Sequence, residues 1–113
     1  MATIYKVEKK KLWEEEKQNT TYNGSEIDKK DGFIHFSTKV QLQETLEKHY
    51  QGQTDLILIA VHSEELGEHL KWEPARKGAL FPHLYVPLQK KHIVWEKPIE
   101  DISDGTHRLP NDI

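Results

Sequence analysis

The longest apolar run of the chain is DLILIAVH, residues 55–62. A continuous aliphatic run of strand length is typical of a central strand that is covered on both faces. Two segments rich in β-branched and aromatic residues, TIYKV (3–7) and KKHIVWEKPI (90–99), predict strands towards the two ends of the chain, the second at a sheet edge. The pattern therefore predicts a sheet built around residues 55–62.

Two segments have the composition or the spacing of helices. TKVQLQETLEKHYQG, residues 38–52, repeats apolar side chains near helical spacing, and Ser37 and Thr38 precede it as candidate caps of its first turn. EKKKLWEEEKQ, residues 8–18, consists mostly of strong helix formers, with Trp13 as its largest apolar anchor. We expect the second of these helices to lie on the surface, held by the tryptophan.

The remaining segments are shorter. FIHF (33–36) and LKWEP (70–74) predict strands, whereas the turn formers in residues 19–32 and 75–84 predict loops. Residues 101–113 carry few apolar groups, and we expect this tail to fray.

The order of these elements indicates an α+β fold. Strands lie near both ends with helices between them, and no strict βαβ alternation is present, which favours small mixed or antiparallel sheets with two to three helices. A chain of 113 residues has the usual size of one domain, and we place that domain at residues 1–100.

Composition and charge exclude several classes of protein. The formal charge is −3 with the two signs interspersed, so a nucleic-acid partner is not expected. The longest apolar run is far shorter than the roughly 18 residues of a membrane span, and the first ten residues lack the apolar segment of a signal peptide. The absence of cysteine agrees with a reducing compartment. We expect a cytoplasmic monomer.

Several kinds of active site do not fit the sequence. The chain has seven histidines, but His62 and His69 are seven residues apart, no H-E-x-x-H is present and no cysteine assists, so no metal site is predicted. No serine lies in a G-x-S-x-G turn, and the glycines do not form a phosphate-binding loop.

What remains is a set of polar and aromatic residues beside strand ends. They occur in FIHFST (33–38), in KWEPAR (71–76) and in FPHLY (81–85), where Pro82 stiffens the segment that carries the histidine. Aromatic rings, imidazoles, hydroxyls and carboxylates are the groups that line small-molecule clefts. The candidate binding and catalytic side chains are His35, Ser37, Thr38, Trp72, Glu73, Arg76, His83 and Tyr85.

Each candidate also has a purely structural explanation. A histidine in an apolar run can be a core residue bonded to backbone, and Ser37 and Thr38 can be helix caps. Trp72 can fill the core, and Glu73 can form a surface ion pair with a neighbouring lysine or arginine. If function rather than structure explains them, His35 and His83 should meet in one cleft.

These segments also resemble a known family. The order of IYKV, DGFIHFST, DLILIAV, KWEP and FPHLY is similar to that in the domain of unknown function 952 family, and the resemblance covers the chain up to its tail. That family is placed by fold with the ADP-ribosyltransferase-like superfamily, whose members cleave or bind NAD in a cleft between two small sheets. The resemblance therefore implies an ADP-ribosyltransferase-like fold.

The resemblance also implies roles for individual residues. Lys6 stands on the first strand where superfamily members hold the adenosine ribose with His or Arg, and where this family often has His, so the lysine counts against transferase activity. Phe36, Ser37 and Thr38 match an aromatic strand that leads to a hydroxyl, which would orient the nucleotide. Glu73 is the candidate for the glutamate that bonds the ribose next to nicotinamide and stabilises an oxocarbenium-like transition state.

The leading hypothesis is a cleft that binds a nucleotide such as NAD or ADP-ribose. If the domain is an ADP-ribosyl or NAD-cleaving transferase, Glu73 and His83 are the catalytic candidates, His35 orients substrate, and Trp72 or Tyr85 stacks on a ring. NAD would then be a substrate, and no other cofactor is predicted. The alternatives are a non-catalytic module that binds a small metabolite or a peptide, and a scaffold whose histidines are all structural.

Overall fold

The apolar run that ends at His62 forms the central strand of the largest sheet. In this computed structural model, which describes residues 2–16, 18–111 and 113, the sheet has the strand order β1-β4-β8-β9. The four strands are β1 (Thr3–Lys9), β4 (Leu56–His62), β8 (Ile93–Asp101) and β9 (His107–Arg108). Every residue from 56 to 61 is buried, which confirms the prediction of a covered central strand.

Two smaller sheets complete the strand structure. One pairs β2 (Thr21–Tyr22) with β7 (Leu88–Gln89), and the other has the order β3-β6-β5, formed by β3 (Ile34–His35), β6 (Leu80–Leu84) and β5 (Leu70–Pro74). All strand pairings among the described residues are antiparallel. The predicted α+β class is therefore confirmed, with antiparallel rather than mixed sheets.

Three short α-helices accompany the sheets. They are α1 (Lys10–Glu15), α2 (Glu26–Asp31) and α3 (Leu42–His49). The helix α1 is shorter than the segment 8–18 predicted for it, and Trp13 is buried as expected, its Nε1 donating to Glu96 Oε2 at 2.8 Å. Single turns of 3-10 helix occupy residues 39–41 and 90–92, and two 3-10 turns separated by a kink at Gly67 lie within residues 63–69. Residues 76–78 and 103–105 form tight turns in which Lys77 and Asp104 have positive φ.

The core lies on both faces of the large sheet. On one face, Ile4, Ile57 and Ile59 pack with buried residues of the two small sheets, among them Tyr22 and Leu84. On the other face a second cluster joins the sheet to α3; its buried members are Tyr5, Val7, Leu42, Leu46, Leu56, Leu58, Ala60 and Ile99. Alternation of side chains along β1 and β4 produces these two faces.

The segment 19–32 is not the long loop that its turn formers predict. It contains β2 and the helix α2, which begins at Ser25: Asp28 N–H donates to Ser25 Oγ at 3.3 Å, and Ser25 N–H donates to Asp28 Oδ2 at 2.8 Å. Gly32 ends the helix at φ 87°. A reciprocal cap of this kind stabilises a helix too short to show apolar periodicity.

The segment 75–84 is also wrongly predicted as a loop. Its second half is β6, the middle strand of the three-stranded sheet. Pro82 lacks only the N–H group, and its carbonyl still accepts from Phe36 N–H at 3.0 Å. Pairing on both sides of β6 therefore outweighs the loop signal of the proline.

The tail 101–113 differs from the expectation that it frays. Its β9 pairs with the end of β8, and His107 is buried with its Nε2 2.6 Å from the carbonyl oxygen of Gln53. Leu109 and Ile113 pack against the cluster that includes α3. A few well-placed contacts thus order a segment of low apolar content.

Candidate functional site

The main cavity has a volume of about 620 Å³ and is lined by parts of β1, α2, β3 and β6. Two backbone hydrogen bonds join lining residues of β1 and of the segment after β3: the N–H groups of Tyr5 and Ser37 each donate to the other residue's carbonyl at 2.8 Å. Lys6, His35, Ser37 and His83 all line this cavity. Its volume lies in the range of small-molecule sites, which is roughly 300–1,000 Å³.

The two histidines meet as the sequence predicts. His35 of β3 lies directly opposite His83 of β6, and their ring centroids are 5.4 Å apart. The ring of Phe33 lies 4.2 Å from that of His83 and 4.5 Å from that of His35. The expectation that both histidines share one cleft is confirmed, and an aromatic ring fixes both.

Asp28 is the centre of a buried polar cluster on the cavity wall. Its side chain is fully buried, and its Oδ2 lies 2.7 Å from Lys6 Nζ and accepts Ser25 N–H. Its Oδ1 lies 2.6 Å from His35 Nδ1 and accepts His35 N–H at 3.2 Å. One carboxylate therefore joins α2 to β1 and to β3.

The charge of Asp28 follows from these contacts. Burial raises the pKa of its carboxyl, but the hydrogen bond from His35 and the positive charge of Lys6 outweigh burial and hold this pKa well below its ordinary value. Asp28 is therefore an ionised acceptor at neutral pH, and Lys6 is its counter-ion.

A second carboxylate holds the other histidine. Glu73 Oε1 lies 2.8 Å from His83 Nδ1 and accepts the hydroxyl of Tyr85 at 2.7 Å. The hydrogen bonds from Tyr85 and then His83 lower the pKa of Glu73, and the same bond to Glu73 raises the pKa of Tyr85. Glu73 itself is outside the residues that line the cavity, so its carboxylate meets the cavity through His83.

A buried carboxylate, Glu8, also belongs to the cavity wall. It is 3% exposed, and it accepts the hydroxyl of Tyr22 and, at 2.8 Å, the N–H of Lys9. Burial, then the charge and hydrogen bond of Glu8, raise the pKa of Tyr22 far above its ordinary value. Tyr22 therefore stays a donor to Glu8 across the accessible pH range.

Ser37 and Thr38 have separate positions. Ser37 Oγ lies 2.9 Å from Thr45 Oγ1, and both residues line the cavity. Thr38 precedes a 3-10 turn in which Gln41 Oε1 accepts Thr38 N–H at 2.9 Å. The Thr38 hydroxyl is buried without a hydrogen-bond partner among the residues that the structure describes, and Thr38 is not one of the lining residues.

The remaining predicted residues are further from the cavity. Trp72 of β5 is 42% exposed and does not line it. Tyr85 is 44% exposed and meets the site through its hydrogen bond to Glu73 and through the ring of Phe33, 5.1 Å away. The side chain of Arg76 lies outside the part of the chain that the structure describes. Four predicted residues thus line the cavity: Lys6, His35, Ser37 and His83. Glu73 and Tyr85 are joined to them through Glu73 Oε1, which is hydrogen-bonded both to His83 and to the hydroxyl of Tyr85.

Sequence reasoning found Glu73, which holds His83, but missed two residues that contact His35 and one buried carboxylate of the cavity wall. Asp28 and Phe33 lie in or beside the segment interpreted as a loop, and Glu8 lies in a charged run interpreted as part of a helix. The spacing S-x-x-D from Ser25 to Asp28 is a signal of a capped helix that could have placed Asp28.

Two further findings concern metal binding and membrane crossing. Among residues 2–16, 18–111 and 113, no group of three or more histidine, cysteine, aspartate or glutamate side chains is arranged to hold a metal ion. No helix in the same described residues has the length and apolar character that crossing a membrane requires.

Comparison with known proteins identifies the family. The chain belongs to the family described as Protein of unknown function (DUF952), whose family model matches residues 7–96. No match was found among curated proteins.

Solved structures of one bacterial protein share the fold. The crystal structure of protein CC0527 from Caulobacter crescentus, a structural genomics target, is 44% identical in sequence and has a TM-score of 0.91, covering 95% of this chain and 94% of that chain. The solution NMR structure of CC0527 is 42% identical with a TM-score of 0.86, covering 100% of this chain and 97% of that chain.

Proposed function

We propose that the cavity binds a nucleotide such as NAD or ADP-ribose. The observation that carries the proposal is that three distant segments, which contribute Lys6, His35 with Ser37, and His83, line one cavity of about 620 Å³. Imidazole, hydroxyl and ammonium groups on one wall are suited to the ribose and phosphate oxygens of such a ligand. The resemblance to the ADP-ribosyltransferase-like superfamily supports the same ligand class.

The charge of the wall orients the proposed ligand. The cavity is lined by two lysines, Lys6 and Lys9, and by four carboxylates, of which Asp28 already neutralises Lys6. A pyrophosphate is repelled by an excess of carboxylates in a region of low dielectric constant. We therefore place the nucleoside inside, where Ser37 and the ring of Tyr5 line the cavity, and the phosphates at its mouth.

The histidines mark that mouth. The side chain of His35 is 36% exposed and that of Asp31, 3.1 Å from His35 Nε2, is 39% exposed. An imidazole at the opening can donate to a phosphate oxygen without burying the phosphate. His83, whose side chain is 8% exposed, lies behind His35 and contacts the next part of the ligand.

A transferase would use Glu73 and His83 as its catalytic residues. Because His83 and Tyr85 both bond to Oε1 of Glu73, the carboxylate would act on the ribose through its other oxygen. The presence of Lys6 in place of the family's histidine favours a second candidate, a module that binds a nucleotide or another small metabolite without turnover. Whether the protein cleaves the bound ligand distinguishes a transferase from a binding module.

Titration of the ¹⁵N-labelled protein with NAD, ADP-ribose, AMP and adenosine tests the proposal. We expect the amide signals of His35, Ser37 and His83 to move together, and adenosine to move them as NAD does if the nucleoside enters the cavity. Val94 of β8, 45% exposed and outside the lining residues, is the internal control. Unchanged spectra with all four compounds would overturn nucleotide binding.

A further inference from the structure

His35 and His83 are held in the same way. Each ring has its Nδ1 on a carboxylate oxygen, Asp28 Oδ1 at 2.6 Å for His35 and Glu73 Oε1 at 2.8 Å for His83. A carboxylate on Nδ1 fixes both the orientation and the tautomer of an imidazole, so that Nε2 is the nitrogen through which the ring exchanges a proton with a ligand.

The orienting carboxylates are themselves held. Lys6 Nζ and Ser25 N–H occupy Oδ2 of Asp28, which leaves Oδ1 for His35. The hydroxyl of Tyr85 donates to the same oxygen of Glu73 that meets His83. A base that is oriented by a third group is the arrangement that acid–base catalysis uses, and here it occurs twice across one pair of strands.

From this geometry we propose that His35 and His83 are a general acid–base pair that hydrolyses a phosphoester or phosphoanhydride bond of the nucleotide. The proposal rests on the nucleotide binding proposed above and adds a reaction to it. The ring centroids are 5.4 Å apart. His35 is the more exposed of the two and lies where the phosphates were placed, and His83 is buried beside it. The proposal requires a phosphorus atom bound where His83 Nε2 reaches the attacking oxygen and His35 Nε2 reaches the leaving oxygen.

The surroundings of the rings assign the two roles. His35 Nε2 lies 3.1 Å from Asp31 Oδ2 while its Nδ1 lies on Asp28, so both of its nitrogens carry a proton when both bonds are made. His35 is therefore the acid. His83 has its carboxylate on Nδ1, and its Nε2 is the base.

The reaction balances with water as its only co-reactant. A water oxygen forms a bond to phosphorus as one of its protons passes to His83 Nε2. The bond from phosphorus to the leaving oxygen breaks, and that oxygen takes the Nε2 proton of His35 in place of Asp31. Solvent returns the proton from His83 to His35, and the products are a phosphate monoester and an alcohol, or two phosphates from an anhydride.

Three hydrolysis assays test the proposal. Cleavage of bis(p-nitrophenyl) phosphate is measured by the release of p-nitrophenolate, and cleavage of NAD and of ADP-ribose is measured by ³¹P NMR. We expect His83→Gln to lower kcat by about 100-fold or more with all three compounds, the usual contribution of a general base. His35→Gln should cost as much with NAD and ADP-ribose, but less with the diester, because p-nitrophenolate leaves without taking a proton. His69→Gln is the matched control, because His69 is exposed and is not a lining residue. Amide spectra establish that each variant is folded.

Tyr85 is tested as a positioning residue. Its hydroxyl reaches the histidine only through Glu73, so Tyr85→Phe should lower kcat by about 10-fold and leave KM unchanged. A change in KM without a change in kcat would assign Tyr85 to binding and would remove it from the acid–base group.

Each outcome separates the two proposals. If NAD shifts the cavity signals but the wild-type protein hydrolyses none of the three compounds, the acid–base pair is overturned and nucleotide binding stands. If the diester is hydrolysed through His83 but NAD causes no shifts, nucleotide binding fails, and the histidines act on a phosphodiester that is not a nucleotide. Full activity in both histidine variants, or loss of wild-type activity with EDTA, would overturn the acid–base pair.

Discussion

Lys6 and Asp28 form an ion pair inside the protein: Nζ and Oδ2 are 2.7 Å apart, and the side chains are 3% and 0% exposed. Such a pair costs desolvation energy, and it stays favourable only while each charge has its partner and its hydrogen bonds. Ser25 and His35 supply the remaining bonds of the carboxylate.

Removal of Lys6 should therefore leave a buried carboxylate without its counter-ion. We expect Lys6→Met to lower the free energy of unfolding by about 3–5 kcal/mol, measured by urea denaturation. In the double variant Lys6→Met/Asp28→Asn the loss should be smaller than the sum of the two single losses.

A surface pair provides the control for this experiment. Arg108 Nη1 lies 3.2 Å from Glu100 Oε1, and these side chains are 60% and 59% exposed. Arg108→Met should cost at most about 1 kcal/mol. Equal losses from Lys6→Met and Arg108→Met would contradict the structural role of the buried pair.

The lowered pKa of Asp28 predicts how stability depends on pH. Because its pKa is lower in the folded than in the unfolded state, its contribution is complete above the unfolded pKa of about 3.9 and is lost as the pH falls towards the folded value. In the acid range the unfolded state binds more protons, so stability rises with pH. Urea denaturation between about pH 5 and pH 3 should show a steeper fall for the wild type than for Asp28→Asn. Parallel curves would show that Asp28 does not carry this dependence.

Two glycines that flank α2 should respond differently to a methyl group. Gly24 has φ 98°, and a Cβ there would lie 2.6 Å from Asp28 Cβ, whereas Gly32 has φ 87° with no atom within 4 Å of a Cβ. Gly32→Ala should cost about 1–2 kcal/mol of backbone strain. Gly24→Ala should cost more and should also shift the His35 amide, because it displaces Asp28. Equal stabilities and unshifted His35 signals in both variants would contradict this packing.

The sequence predicts the large sheet because apolar pattern and tertiary environment agree there. The run 56–61 is covered on both faces, and its lack of polar positions is a direct consequence of that burial. The meeting of His35 and His83 is also predictable in outline, since both histidines lie in short apolar runs, although the run that carries His83 is predicted as a loop.

The groups that orient these histidines could not be predicted in the same way. Asp28 is three residues from its cap Ser25 but meets Lys6 and His35 only after β1, α2 and β3 pack together. No local pattern distinguishes such an aspartate from a solvated one. The strand β6 was missed because a proline signals a loop locally, whereas pairing with β3 and β5 depends on distant residues.

The central strand should be the most sensitive to loss of apolar volume. Leu58 is fully buried in the cluster that joins the large sheet to α3. We expect Leu58→Ala to cost about 2–5 kcal/mol through lost burial and the cavity left behind. Val40→Ala is the control, because Val40 is 91% exposed and its truncation should change the denaturation midpoint little. Similar midpoints for the two variants would show that β4 does not carry the core.

Glu73→Gln separates a functional from a structural role of the Glu73–His83 pair. The exchange keeps the shape of the side chain and removes its charge, and Glu73 contacts His83 and Tyr85 rather than the apolar core. We therefore expect a denaturation midpoint close to that of the wild type, together with weaker binding of NAD or ADP-ribose or slower turnover, because His83 loses the anion that orients it. Glu100→Gln, which alters an exposed carboxylate bonded to Arg108, should leave both quantities unchanged. A lowered midpoint in Glu73→Gln with unaltered ligand affinity and turnover would instead make Glu73 and His83 a structural pair at the end of β6.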